Sequence, residues 1–482
     1  MKRIILPFLF SLLVMVGIHS CQIAGNQSEN NTKNAVVAVL SVNDMHAAID
    51  MMPQFAALVD SLRGIYPDLL VFSAGDNRTG NPINDQYDPA NYPMIDLMNK
   101  VGFDLTVVGN HDWDDGVEAL QQNIEDAQFP FLCANVTVPG EKKLNIKPYE
   151  IIESQGLKIA VLGLVEIGAR GTPGAHPKFF EGITFKKGID VIPDYQFLRD
   201  QADILILLSH LGYEDDLEVA EHFPVFDAIL GGHTHTLIKT PEKHKGVMVT
   251  QAGWGLKNAT LTLFMIRKGK LVDVTAKTLD VQHFKKTNAE VKALVDEYNN
   301  NERFNVALTT ATSNFDSKEE LGCMVTDAIR TMSGADFAFH NTGGLRLDHL
   351  KKGPITIKDV YSIDPFNNDV VVFKMTGEQL ERFIMETYKK NGRYPSYVSG
   401  MTYTVKTDAD RYPQSVEIKL NKGRFSKTAT YTVAMNSYMA STIRIESLDD
   451  GVSQYMTTEE MMIKYLKTKK TVSYNGTRRA SH

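Results

Sequence analysis

The sequence predicts a layered α/β domain followed by a smaller α+β domain, and three observations carry that expectation. The first half alternates short apolar runs with longer polar-faced segments, as layered α/β proteins do. The second half mixes helix-like and strand-like segments without that regular alternation. A chain of 482 residues, even less a leader, exceeds what one ordinary core accommodates.

Taken in order, Val36–Val42, Leu69–Ala74 and Leu105–Val108 are apolar runs of strand length, as are Lys158–Leu164, Ile204–Leu208, Phe226–Leu230 and Val247–Thr250. Pro53–Arg63 and Asp115–Ala127 read as helices between them. Asn288–Arg303 is polar, opens on a helix-start residue and is expected to link the two domains. Beyond it, Glu319–Met332 and Gly377–Lys389 read as helices. Asp369–Met375, Thr402–Lys406 and Thr430–Met435 read as strands, and no internal repeat is present.

Five strand ends carry metal-liking side chains: Asp44-Met45-His46, Gly75-Asp76, Gly109-Asn110-His111-Asp112, Ser209-His210 and Gly232-His233-Thr234-His235. Taken singly, Asp76 reads as a turn residue and His210 as a core histidine. Five such motifs, each after a buried strand, point instead to ligands converging on one sheet edge. The flanking glycines clear space for backbone near an ion. Carboxylate, imidazole and one amide, with no thiolate, suit zinc, manganese, iron or cobalt rather than an all-oxygen calcium cage. Two such ions about 3.5–4 Å apart clamp both ends of an in-line displacement at phosphorus.

The motif series resembles the calcineurin-like metallophosphoesterases. Its continuation, Gly109-Asn110-His111-Asp112-Trp113-Asp114-Asp115-Gly116, is similar to the form in bacterial 5′-nucleotidases and UDP-sugar hydrolases. The resemblance implies four layers, two packed mixed sheets flanked by helices. It implies that Asp44, His46, Asp76 and His235 hold one divalent ion, and Asp76, Asn110, His210 and His233 the other, with Asp76 shared. It further implies that His111 is no ligand but pairs with Asp114 to stabilise the phosphoryl transition state and help the leaving group depart. A neighbouring carboxylate orients an imidazole and favours its charged form. Some of these nucleotidases carry Gln where His235 stands; His is the form of the wider superfamily.

The second half extends the likeness. Leu321-Gly322-Cys323-Met324, Asn341-Thr342-Gly343-Gly344-Leu345-Arg346, Asp364-Pro365-Phe366-Asn367-Asn368 and Thr376-Gly377-Glu378 resemble the nucleotidase C-terminal domain. By that likeness Phe366 and Tyr438 sandwich a base, Asn368 joins the substrate contacts and Arg346 faces phosphate. Expected boundaries are a catalytic domain at 35–285, a linker helix at 286–304 and a substrate-binding domain at 305–482. Two departures stand out. After Tyr438 the family usually runs Ala-x-Gly-Gly-Asp-Gly-aromatic, but here the chain reads Ala440-Ser441-Thr442-Ile443-Arg444-Ile445. Cys323 also stands where Asn or Arg is common. The acidic grip on the nucleoside is missing, which bears on substrate more than on reaction class.

Lys2-Arg3, an apolar stretch to Ile18 and then Ser20-Cys21 describe a signal peptide over residues 1–20, ending in a sequence that resembles a bacterial lipobox. Cys21 is the expected lipidation site, with residues 21–34 as a flexible polar tether. The remaining cysteines, Cys133 and Cys323, fall in different domains and read as buried thiols. A net charge of −7 argues against a general nucleic-acid binder. Outside the five motifs, His176, His222, His244, His283, His340 and His349 read as surface or packing residues. The expectation is an extracytoplasmic, lipid-anchored, two-metal hydrolase of nucleotide phosphate monoesters, at the periplasmic or cell-surface face. Alternatives are a phosphodiesterase or pyrophosphohydrolase on cyclic nucleotides or nucleotide sugars, or a nucleotide-binding lipoprotein without turnover. His111 beside Asp114 argues against the last.

Overall fold

A computed structural model describes residues 34–140, 144–168 and 170–482. The expected signal peptide and Cys21, with all of the tether but Asn34, lie outside the described residues.

Two six-stranded mixed sheets form the centre of the first domain. One runs Lys270–Asp280, Asn258–Arg267, Ala35–Val42, Leu70–Ser73, Leu105–Val107, Phe131–Leu132. The other runs Glu242–His244, Val247–Thr250, Ala228–Leu230, Ile204–His210, Leu157–Val165, Tyr149–Ser154. Inner strands are parallel in both sheets, with antiparallel partners at the edges. Val37, Val39, Phe72, Leu105 and Val107 of one sheet interlock with Ile159, Val161, Ile204, Ile206 and Leu230 of the other. The alternate residues Ala38, Leu40 and Val42 face helices instead. Both faces of these strands are thus buried, which is why the sequence shows continuous apolar runs rather than alternation. Helices cover both outer faces, completing the four layers.

The covering helices follow from local rules. Met52–Arg63 begins with a proline in its first turn, where no amide partner is lost, and buries Phe55, Leu58, Val59 and Leu62 along one face. Tyr92–Val101 ends at Gly102 in a left-handed turn. The segment expected to link the domains departs from that simple role. Its helix, Ala289–Asn299, is capped by the Asn288 side chain and packs on Met52–Arg63 and Tyr92–Val101, with Val291 and Val295 buried. It therefore adds to the outer helical layer.

In the second half a five-stranded mixed sheet runs Tyr397–Ser399, Phe337–His340, Thr430–Asn436, Asp369–Thr376, Val452–Thr457. Helices Lys318–Ser333 and Thr458–Lys467 cover one face through Met324, Val325, Ile329, Met462 and Leu466. Helix Gly377–Lys390 and a small three-stranded sheet cover the other through Leu380, Phe383, Tyr403 and Val405. At the seam, Phe304 packs edge-on against Tyr361 of the second half, inside the first domain's outer core. Cys133 and Cys323 are both buried and unpaired. Among the described residues no helix is long and apolar enough to cross a membrane.

Candidate metal centre and interdomain cleft

The parallel strands deliver their C-terminal ends to one edge. Asp44 and His46 follow Ala35–Val42, Asp76 follows Leu70–Ser73, and Asn110 and His111 follow Leu105–Val107. From the second sheet, His210 is the last residue of its strand, and His233 and His235 follow Ala228–Leu230. The first two loops stay paired beyond their strands: the Asp44 amide donates to the Gly75 carbonyl at 3.0 Å and the His46 amide to the Asp76 carbonyl at 3.0 Å. Asp112 stitches the third loop to the second, its carboxylate accepting from the amides of Gly109 (2.8 Å) and Asp76 (3.1 Å).

Two overlapping groups result that could hold a metal ion: Asp44, His46 and His235; and Asp44, Asp76 and His210. The carboxylate common to both is Asp44, whereas the resemblance implies Asp76. Asp44 reaches between them because its loop ends the central strand; its oxygens accept the His233 amide at 2.9 Å and lie 3.4 Å from His235 Nε2. Asn110 Oδ1 stands 3.2 Å from His210 Nε2 and 3.0 Å from His233 Nδ1.

The donor set fits cations. His46 Nδ1 faces the Thr79 carbonyl at 3.0 Å and His210 Nδ1 the Ala74 carbonyl at 2.6 Å. Those carbonyls hold the ring protons on Nδ1 and leave both Nε2 lone pairs aimed into the cluster. His46 Nε2 then confronts His235 Nε2 at 3.0 Å, and His210 Nε2 lies 3.3 Å from Asp76 Oδ2. Electron-rich atoms facing one another in a buried site call for positive charge between them. Where no cation sits among these atoms, the carboxylates draw a proton to the His210 ring instead. Burial opposes a charge on His210, yet Asp76 and Asp44 hold its imidazole up to about 10. Burial, and then the neighbouring His210, push His233 down to about 4.

This convergence strains the chain. Asp44, His46, Asp76, His233 and His235 all have positive φ, between 48° and 76°. Side chains other than glycine adopt that region sparingly, and such outliers gather at functional sites. The motif glycines make room for the ligands themselves. A Cβ on Gly109 would meet Asp76 Oδ1 at 2.2 Å, and one on Gly75 would meet His210 Nδ1 at 2.8 Å.

Beside the cluster, His111 Nδ1 lies 2.7 Å from Asp114 Oδ2, and the His111 amide donates to Asp76 Oδ1 at 2.8 Å. From the second half, Arg346 Nη2 reaches His111 Nε2 at 2.5 Å. The Arg346 guanidinium also lies over the Phe366 ring, 5.3 Å from its centroid. Phe366, Asn368, Tyr438 and Arg346 line one cleft with His111 and Asp114. One expectation needs correcting here. His176 is no bystander: it lines this cleft with Gly174 and Phe179, on a loop that follows the strand Leu157–Val165. The Gly171-Thr172-Pro173-Gly174 run marked a loop, and its place after a core strand was the available signal. Arg444 is exposed and is not among the cleft-lining residues.

Fold and site together define a metal-dependent phosphoric ester hydrolase. Residues 37–237 match the family described as calcineurin-like phosphoesterase, and residues 299–443 match the 5′-nucleotidase C-terminal domain. The chain belongs to the family that joins these two domains. It is 26% identical over 506 residues to the 5′-nucleotidase of Vibrio cholerae, covering 90% of each chain. It is also 26% identical over 396 residues to protein UshA of Escherichia coli, covering 69% of this chain and 71% of that one. The fold matches the crystal structure of a 5′-nucleotidase precursor from Thermus thermophilus, with a TM-score of 0.78 at 22% identity, covering 93% of this chain and 99% of that chain.

Proposed function

We propose that the protein hydrolyses the 5′-phosphate of nucleotides, releasing a nucleoside and inorganic phosphate. One observation carries this reading. The His111–Asp114 pair stands between the metal-ligating cluster and the cleft of Phe366, Asn368 and Tyr438. A protein that only binds nucleotides has no use for a carboxylate-oriented imidazole at the phosphate end of its cleft.

In this reading residues 35–285 are the catalytic domain and 305–482 the substrate-binding domain. Asp44, His46, Asp76 and His235 hold one divalent ion, and Asp76, Asn110, His210 and His233 the other. Two such ions (zinc, manganese, cobalt or iron) supply Lewis acidity to the phosphoryl oxygens and lower the pKa of water. Asp114 accepts from His111 Nδ1 and so presents Nε2 to the reacting phosphate, where a protonated ring hydrogen-bonds the departing 5′-oxygen. Arg346 exchanges its contact with His111 for the phosphate oxygens, which its planar fork suits. Phe366 and Tyr438 stack on the base. Every base offers a π-face, so stacking without the missing acidic grip gives broad base tolerance.

The reading includes a location outside the cytoplasm with a lipid anchor on Cys21, supported by the charged start, apolar run and Ser20-Cys21 of the leader. Membrane fractionation of Cys21→Ser tests the anchor; unchanged membrane association rejects it. A second opening onto the metal centre, lined by His46, His235, Trp254, Lys318 and Arg346, favours one alternative. It offers room for the second substituent of a phosphodiester or nucleotide sugar.

The decisive experiment compares AMP, cyclic nucleotides, UDP-sugars and p-nitrophenyl phosphate, with Mn²⁺, Co²⁺ or Zn²⁺ added. AMP should be turned over, and the double variant Phe366→Ala/Tyr438→Ala should lose AMP hydrolysis while keeping p-nitrophenyl phosphate hydrolysis. Equal effects on both substrates would make the two rings packing residues and move the enzyme to another phosphate ester.

A further inference from the structure

One residue in the second ligand loop is in an unusual state that the roles above do not use. Thr79 is 2% exposed and has a φ of +69°. A β-branched side chain in the left-handed region is an outlier, because its branch crowds the backbone. Something must hold it there. The Asp85 carboxylate does so from one side, gathering three successive amides: Thr79 at 3.1 Å, Gly80 at 2.7 Å and Asn81 at 2.9 Å.

The strained residue makes two further contacts, one to each part of the site. Its carbonyl lies 3.0 Å from His46 Nδ1, so it sets the tautomer and rotation of a metal-group imidazole. Its hydroxyl donates to Asp114 Oδ2 at 2.8 Å, the same oxygen that faces His111 Nδ1 at 2.7 Å. The neighbouring side chain repeats the pattern, since the buried Arg78 guanidinium pairs with Asp115, the residue after Asp114. Consecutive residues of one loop therefore grip consecutive carboxylates of another. The His46 and His111 rings are held edge to face, 5.4 Å apart, across this bridge.

We propose that Thr79 is a positioning residue that sets the His111–Asp114 pair in register with the metal centre, and that its left-handed backbone is retained for this purpose. With both its partners in place, Asp114 Oδ2 is saturated and its carboxylate cannot swing. His111 then keeps Nδ1–H toward Asp114 and Nε2 toward the phosphate. Losing the hydroxyl leaves Asp114 free to rotate and His111 to drift from the reacting oxygens, while His46 keeps its carbonyl partner. The inference rests on the dyad role given to His111 and Asp114 above.

The test compares Thr79→Val, which removes only the hydroxyl and keeps the β-branch, with Thr79→Ser, which keeps the hydroxyl. Thr79→Val should lower kcat about 10–100-fold, the range usual for groups that orient catalytic side chains, with KM and bound metal unchanged. Thr79→Ser should recover most of the wild-type rate. Combined with Asp114→Asn, Thr79→Val should add little, because both changes break the same link. Loss of metal alongside activity, or multiplicative effects in the double variant, would overturn the proposal in favour of general loop stability. Wild-type kcat in Thr79→Val would overturn it too. A His111→Ala variant separates the two ideas: undiminished kcat there defeats the dyad itself, whereas a crippled His111→Ala beside an unimpaired Thr79→Val defeats only the role of Thr79.

Discussion

The metal centre is built from residues in unfavourable backbone states, and that gives single substitutions unusual diagnostic power. Gly109→Ala adds one methyl group where a Cβ would sit 2.2 Å from Asp76 Oδ1. The clash is with the Asp76 side chain and, at 2.5 Å, with the Asp76 backbone nitrogen, so the loop that carries Asp76 must shift although Gly109 itself has no positive φ. The expected outcome is a folded protein by circular dichroism whose metal content and activity fall together, by about 10–100-fold. Asp44 and Asp76 can be told apart in the same way. If Asp76 is the shared carboxylate, Asp76→Asn loses both ions and all turnover, while Asp44→Asn loses one ion. Elemental analysis of the purified variants reads this directly, and the reverse result makes Asp44, common to both clusters in the structure, the bridge.

Between elements, hydrogen-bonded carboxylates act as rivets. Asp327, on helix Lys318–Ser333, takes both prongs of Arg479 at 2.6 and 2.8 Å, the Ser399 hydroxyl at 2.5 Å and the Tyr474 hydroxyl at 2.9 Å. One side chain thus joins a helix, a core strand and the C-terminal segment. Burial opposes its ionisation, but Arg479 and Ser399 hold the Asp327 carboxyl below the usual carboxylate range. A depressed folded value means the stabilisation is fully present above the unfolded value of about 3.9 and is lost as pH falls through the folded one. Asp327→Asn should therefore cost about 1.5–3 kcal/mol at pH 7, a typical value for hydrogen bonds to a charged group. Thermal unfolding should show the gap from wild type narrowing below about pH 4. A gap that stays constant to about pH 3 would mean that ionisation of Asp327 is not what holds these elements together.

At the scale of the molecule, the cleft exists only because two domains meet. His111 and Asp114 come from one, Phe366, Asn368 and Tyr438 from the other, and Arg346 crosses between them to touch His111. Arg346→Ala should leave metal content unchanged and reduce kcat/KM for AMP by about 10²-fold, through lost phosphate contacts. Arg346→Lys should restore little of it, because a point charge cannot reproduce the fork that reaches His111 while lying over Phe366. Full recovery by lysine would show that Arg346 contributes charge alone.

The sequence by itself determined the layered first domain and its chemical edge. Buried parallel strands are apolar on both faces, and the residues at their ends are adjacent in sequence to those runs, so Asp44, His46, Asp76, Asn110, His210, His233 and His235 could be picked out from local pattern as candidate ligands; the structure gathers Asp44, His46, Asp76, His210 and His235 into groups that could hold a metal ion. The absent Gly-Gly-Asp was equally legible. What only the tertiary structure decided lies where contacts are distant in sequence. His176 and Phe179 enter the cleft beyond the Gly171-Thr172-Pro173-Gly174 run, which marks a loop but not where the loop folds, and Ala289–Asn299 packs into the outer helical layer although its sequence reads as a polar connector. The bond from Thr79 to Asp114 spans 35 residues, and the contact from Arg346 to His111 spans 235. Periodicity and motif spacing describe only what neighbours along the chain do. The left-handed backbone at Thr79 arises from three-dimensional packing, because a strained conformation persists only where surrounding contacts over-determine it.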